Sequence, residues 1–181
     1  MTVALTGFMG SGKTLTGRVL AHRLGWDFTD LDEEIEKAAG KPVGKIFEDE
    51  GEAAFRALEA RMLADVLGDS RSEPGMTDRP ERNLVLALGG GTILRGESAE
   101  MVKNRCVCVW LEASEDTLAE HLSGKESCRP LLAGRELRSR IRALLSQREE
   151  AYRNAADITV CTDSLTPEEA AERIEIEIKK L

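Results

Sequence analysis

Three observations predict an α/β fold on a parallel sheet. Short β-type apolar runs alternate along the chain with longer stretches of helical period, the pattern of strands joined by crossover helices. Glycines end several of the helical runs, notably Gly25 and Gly40. At 181 residues, 41% apolar and 32% charged, the chain has the length of one domain and the material for a core.

The elements follow in order. Residues 3–6 read as a short strand ended by Gly7. From 13 to 24, Leu15, Val19, Leu20 and Leu24 recur at helical spacing. A second strand over 27–31 enters a helix over 32–39. Pro42 opens a short helix through residue 47, and Gly51 precedes a long one over 52–67. The third strand, 83–88, runs straight into Gly89-Gly90-Gly91. The fourth, 105–111, sets Cys106, Cys108 and Trp110 on one face and Val107 and Val109 on the other. Helices over 114–122 and 136–151, a fifth strand over 157–161 and a helix opened by Pro167 complete the chain. Residues 68–82 (GDSRSEPGMTDRPER) read as a flexible polar surface loop. Residues 123–135 (SGKESCRPLLAGR) are basic and glycine-bounded, a candidate moving segment between two helices.

Charge narrows the function classes. Twenty-five Lys and Arg against 33 Asp and Glu give a net charge of −8, which argues against a nucleic-acid or anionic-membrane partner. Any anionic ligand must sit in a local basic pocket. No run approaches the roughly 18 apolar residues of a membrane span, and the N-terminus MTVALTGFMG lacks the basic start of a targeting peptide. The four cysteines, Cys106, Cys108, Cys128 and Cys161, show no disulfide framework, and two histidines supply a zinc site poorly. Cysteines on strands are expected to react slowly. A reduced, cytoplasmic, single-domain monomer is the expectation.

Gly7-Phe8-Met9-Gly10-Ser11-Gly12-Lys13-Thr14 fits G-x-x-x-x-G-K-[ST] in full, between a strand and a helix. Glycines let successive backbone N–H groups face inward as an anion nest, and the helix N-terminus adds its dipole. A lysine there reaches the β- and γ-phosphates, and the Thr14 hydroxyl suits Mg²⁺. The chain is read as binding a nucleoside triphosphate. No guanine-recognition pattern is present, and the chain is short for a motor, which favours a small-molecule kinase. Asp30-Leu31-Asp32 follows the second strand. Alternation at a strand end would point both carboxylates one way, toward Mg²⁺ waters and an attacking hydroxyl. Taken alone, the pair is better explained as a helix cap; beside a phosphate-binding loop it is not.

GFMGSGKT, Asp30-x-Asp32 and Gly51-Glu52-x-x-Phe55-Arg56-x-x-Glu59 occur in that order. They are followed by Leu88-Gly89-Gly90-Gly91, Arg129-Pro130-Leu131-Leu132 and Arg148…Tyr152. Over nearly the whole chain this resembles the shikimate kinase family. The resemblance implies a P-loop kinase of the nucleoside-monophosphate-kinase fold. That fold is a three-layer sandwich with five parallel strands ordered 2-3-1-4-5 and a mobile lid over about 123–135. It implies ATP-dependent phosphorylation of the shikimate 3-hydroxyl, in the route to chorismate and the aromatic amino acids. A gluconate-type kinase would also need arginines, but the triple glycine and Arg129-Pro130-Leu131-Leu132 separate the two.

The same resemblance assigns roles. Lys13, Asp32 and Arg129 are the expected catalytic residues, with Arg129 as the lid arginine that crosses to the phosphates. Arg56 and Arg148 match the positions that grip the substrate carboxylate, for which a guanidinium fork is suited. Asp32 matches the position that binds ring hydroxyls, and Gly89, Gly90 and Gly91 adjoin the substrate. The expected ATP contacts are Gly10, Ser11, Gly12, Lys13, Thr14, Leu15, Arg129 and Leu165, with Mg²⁺ at Thr14 and Asp30. Read on their own, Arg56 and Arg148 are better explained as helix-surface ion-pair residues, given Glu52, Glu59 and Glu149, and only their joint match with the other motifs reverses this. One departure stands out. The family usually carries a further arginine early in the lid, and here that neighbourhood reads His121-Leu122-Ser123-Gly124-Lys125. Either Lys125 or His121 supplies the charge, or ATP is held less firmly.

Overall fold

The computed structural model describes residues 1–68, 83–123 and 137–181. In chain order it contains β1 (Thr2–Thr6), α1 (Lys13–Leu24), β2 (Asp27–Asp30), α2 (Leu31–Ala39) and α3 (Val43–Val66). Then come β3 (Leu84–Ala87), a 3₁₀ turn (Thr92–Leu94), α4 (Gly96–Arg105), β4 (Val107–Glu112), α5 (Glu115–Leu122), α6 (Leu137–Ala155), β5 (Ile158–Cys161) and α7 (Pro167–Ile178). The strands form one sheet in the order β2-β3-β1-β4-β5, with every adjacent pair parallel.

Strand alternation divides the core into two layers. Ala4, Leu86, Cys108 and Trp110 face Leu31 and Ile35 of α2, Phe55 and Leu63 of α3, Leu118 of α5 and Ile141 of α6. Val3, Leu5, Val85, Val109 and Leu111 face the other way, onto Leu20 and Ala21 of α1 and Ala171, Ile174 and Ile178 of α7. The result is an α/β/α sandwich, and each fully buried Leu or Ile contributes about 1.5–3 kcal/mol of burial. Cys106, Cys108 and Trp110 lie on one side of the sheet and Val107 and Val109 on the other, as the alternation predicts. No helix among the described residues is long and apolar enough to cross a membrane.

Several boundaries differ from the sequence reading. β2 ends at Asp30, and Leu31, fully buried, already begins α2. At Gly51 the split that the sequence predicts is kept: α3 is two helical stretches broken there, where φ is 83° and ψ 171°. Residues 96–105 form α4, which the sequence reading leaves without an element. Its inward residues include only Val102 as a large fully buried apolar side chain, so the helical period is faint. β4 accordingly starts at Val107 rather than 105. Cys161 is exposed at the end of the edge strand β5, so strand placement alone does not shield its thiol. Burial does shield Cys106 and Cys108, pushing both thiols up to about 12. Most of the 68–82 loop, and the 123–135 segment beyond Ser123, including Lys125, Cys128 and Arg129, lie outside the described residues.

Candidate active site

The carboxyl ends of the central strands of a parallel sheet open onto a crevice, and the sequence's motifs converge there. A cavity of about 440 Å³ is lined by the loop Met9–Thr14, by Asp30 and Asp32, by Gly90 and His121, and by Thr162, Leu165 and Pro167. Gly12 sits at φ 90° as the N-cap of α1, a left-handed conformation that glycine adopts without a Cβ penalty. It turns the loop so that α1 starts at the cavity wall. The Lys13 amine donates to the Gly7 and Phe8 carbonyls, each at 2.9 Å, which folds the charge over the loop. Ser11 is buried, and its Oγ has no hydrogen-bond partner among the described residues. Ser11 also lines the cavity, and its Oγ stands 2.9 Å from where a Gly7 side chain would begin. Leu15 and Leu165 both line the cavity, Leu15 while 63% exposed.

Asp30 does two things at once. Its Oδ1 accepts from the backbone N–H of Asp32, at 3.0 Å, and of Glu33, at 3.4 Å, and so caps α2. Its Oδ2 accepts from the Thr14 hydroxyl at 2.6 Å. The cap and the ligand-facing reading are therefore both realised, by different oxygens of one carboxylate. The strand-alternation argument for Asp32 does not hold, because Asp32 lies in the first turn of α2 rather than on the strand. A hydroxyl and a carboxylate side by side are hard oxygen donors, which suit Mg²⁺ shared with phosphate and water. Among the described residues no cluster of three or more His, Cys, Asp or Glu side chains forms a metal site.

The triple glycine organises the second half of the site. A side chain on Gly89 would begin 2.8 Å from Glu59 Oε1 and 3.0 Å from Asp32 Oδ1. One on Gly91 would begin 2.6 Å from Arg56 Nη2. Only bare backbone lets these groups close in. Glu59, 1% exposed, accepts from Arg56 Nη1 at 2.8 Å and from the Thr92 hydroxyl at 2.7 Å. It binds the arginine to the loop after β3. Burial works against the Arg56 charge, but Glu59 and Glu52 outweigh it and hold the guanidinium above its ordinary value. The ion pairs to Glu52 and Glu59 expected of a helix-surface arginine are thus present, yet the Arg56 side chain is only 14% exposed. Arg148 is buried, with its Nη1 3.5 Å from the Gly90 carbonyl oxygen. Tyr152, fully buried, donates to the same oxygen at 2.5 Å. Burial pushes that phenol up to about 12 despite the opposing charges of Arg148 and Arg56, so it keeps its proton and stays a donor.

A phosphate-binding loop, a hydroxyl–carboxylate pair, a further carboxylate and two positioned guanidinium groups meet around one run of glycines. The model of the shikimate kinase family matches residues 9–179. The chain belongs to the shikimate kinase family. It is 39% identical over 179 residues to the shikimate kinase of Thermodesulfovibrio yellowstonii, covering 99% of this chain and 95% of that one. To the shikimate kinase of Thermobifida fusca it is 44% identical over 175 residues, covering 96% and 92%. The solved shikimate kinase of Acinetobacter baumannii in complex with shikimate superposes with a TM-score of 0.89 at 33% identity, covering 99% of this chain and 93% of that one. The sheet order expected of a shikimate kinase, 2-3-1-4-5, is the order observed.

Within this shikimate kinase fold the structure brings Lys13, Thr14, Asp30, Asp32 and Gly90 to one cavity. Gly89 and Gly91 flank Gly90, and Arg56 and Arg148 approach Gly91 and Gly90 from outside the lining residues. Arg129 lies outside the described residues. Sequence reasoning gave no role to Thr92 or Tyr152, and took Glu59 only as a surface ion-pair partner of Arg56. A signal for Glu59 exists: Phe55, Glu59 and Leu63 share the buried face of α3, so an ionisable side chain recurs on an apolar stripe.

Proposed function

We propose that this chain binds MgATP along the Gly7–Thr14 loop and shikimate against Arg56, Arg148 and Asp32. It transfers the γ-phosphoryl group to the shikimate 3-hydroxyl, leaving ADP and shikimate 3-phosphate. The observation that carries this reading is the seating of two guanidinium groups and a carboxylate on the same glycine run that borders the phosphate loop. Shikimate has one carboxylate and three hydroxyls, and the two halves of the site match those two chemistries.

The loop N–H groups and the start of α1 hold the triphosphate, and Lys13 neutralises charge on its β- and γ-oxygens. Thr14 and Asp30 would hold Mg²⁺, which supplies charge neutralisation on the phosphates when bound. Arg56 and Arg148 fork onto the substrate carboxylate and fix the ring. Asp32 accepts the hydrogen bond of the attacking hydroxyl and takes its proton as the oxygen–phosphorus bond forms and the bond to the bridging oxygen breaks. Because the transition state is loose, positioning and charge contribute most of the acceleration. In this reading the chain is a single kinase domain, with a substrate-binding helical region over about 32–61 and Arg129 on a lid over 123–135. We infer that it acts as a cytoplasmic monomer. A crystal structure with MgADP and shikimate tests the assignment. The shikimate carboxylate is expected within hydrogen-bond distance of Arg56 and Arg148, and a ring hydroxyl at Asp32. A carboxylate seated on Lys13 instead would overturn it.

Two smaller consequences follow from the glycine run. Gly91 has φ −121° and ψ −1°, which alanine adopts freely, so Gly91→Ala acts only through its methyl on the Arg56 guanidinium. The arginine gives way and the fold stays. Shikimate KM is expected to rise about tenfold, with a lowered melting temperature because the displaced guanidinium strains its ion pair to buried Glu59; an unchanged KM would show that Arg56 has room to spare.

The peptide joining Gly90 to Gly91 is trans, so pulling the Gly90 carbonyl toward Tyr152 turns the Gly91 N–H the opposite way. Tyr152→Phe frees that peptide and leaves the carbonyl only the long contact from Arg148. The expected result is a shikimate KM raised about fivefold and about 1–2 kcal/mol less stability in urea unfolding. A loss of stability with no change in KM would make the phenol purely structural.

A further inference from the structure

His121, in the last turn of α5, sets its ring on the phosphate-binding loop. Its Nδ1 lies 2.8 Å from the Gly10 carbonyl oxygen, and the residue lines the same cavity as Gly12, Lys13 and Thr14. A carbonyl oxygen accepts and cannot donate, so Nδ1 carries a proton and Nε2 is the ring atom left for a ligand. With Nδ1 committed in this way, a neutral ring offers only a lone pair at Nε2, which repels an anionic oxygen. An imidazolium offers an N–H there. The charged groups sharing the cavity are Lys13 from the loop and Asp30 and Asp32 from the β2–α2 junction. On α5, Glu120 precedes the ring, while Glu115 and Asp116 are paired with Arg142 and Arg138 of α6. The α7 residues at the cavity, Pro167 and Ala170, carry no charge.

We propose that His121 is a nucleotide-contacting residue of this chain, donating a charge-assisted hydrogen bond from Nε2 to a phosphate oxygen, and that nucleotide binding draws a proton onto the ring. The proposal rests on reading this cavity as the ATP site. The sign of the coupling follows. The bound state holds more protons than the free state, so nucleotide affinity rises as pH falls. The nucleotide's own phosphates titrate nearby, so the informative quantity is the difference between wild type and a variant that cannot titrate.

Calorimetric titration of the whole chain with MgADP, at about pH 6 and about pH 8, reads this difference. Wild type is expected to bind about five- to tenfold more tightly than His121→Gln at the lower pH, and within about twofold of it at the higher. His121→Arg keeps the tighter affinity at both. His22→Gln, on the exposed side of α1, behaves as wild type. Repeating the titration in buffers of different ionisation enthalpy shows proton uptake by wild type that His121→Gln lacks. Equal affinities for wild type and His121→Gln at the lower pH, or equal proton uptake, would overturn the proposal while leaving the kinase reading intact. Failure of wild type to bind MgADP at either pH would overturn the reading of the cavity itself.

Discussion

Asp32→Asn is expected to lower kcat by about 10²–10³ while leaving the ATP KM within about twofold. The carboxylate lines the nucleotide cavity, and its Oδ1 stands over Gly89, next to Glu59. Asparagine keeps the size and one acceptor oxygen, so packing against Gly89 survives. What it loses is the negative charge that orders the attacking hydroxyl and receives its proton. General-base effects reach about 10⁴-fold, but the loose transition state of phosphoryl transfer places the expectation toward the lower part of that range. Steady-state kinetics with both substrates varied provides the check. A variant with near wild-type kcat would remove the carboxylate from the mechanism.

Arg56→Lys and Arg148→Lys are each expected to raise the shikimate KM by about 10- to 100-fold, with the ATP KM nearly constant. Lysine keeps the charge and gives up the planar fork, so the loss is that of a bidentate, charge-assisted contact worth about 1.5–3 kcal/mol. The two positions differ in their support. Arg56 is held by Glu59 and Glu52, and a lysine can keep one of those ion pairs. Arg148 is buried with its guanidinium 5.8 Å from the Phe8 ring, and a shorter head group there leaves more of the pocket unfilled. The larger effect is therefore expected at Arg148. An increase confined to the ATP KM would assign both arginines to the wrong ligand.

Much of this was legible in the residues because the chemistry requires fixed spacing. The strand–loop–helix around Lys13 and Thr14 and the alternation through Cys106–Trp110 can each be read from one short window. α4 could not, because a helix with a single large apolar residue fully buried carries little period. For the Asp30–Asp32 pair the sequence poses a choice between a cap and a ligand-facing group. A carboxylate has two oxygens, and Asp30 uses one for each. Glu59 and Tyr152 act through partners 33 and 62 residues away along the chain, Thr92 and Gly90. No local pattern encodes such a contact; only the fold brings the third strand's glycine run under α3 and beside α6. Arg56 shows the reverse case, in which the ion pairs expected of an ordinary helix surface also hold a guanidinium in place beside Gly91.

The most direct test of the account is ADP release by the whole chain with MgATP and, in turn, shikimate, quinate and gluconate as acceptor. Turnover is predicted with shikimate, with kcat/KM at least about tenfold above quinate and gluconate, since a mispositioned ring misaligns the hydroxyl at Asp32. Equal or faster turnover with gluconate, or ADP release independent of any acceptor, would contradict it.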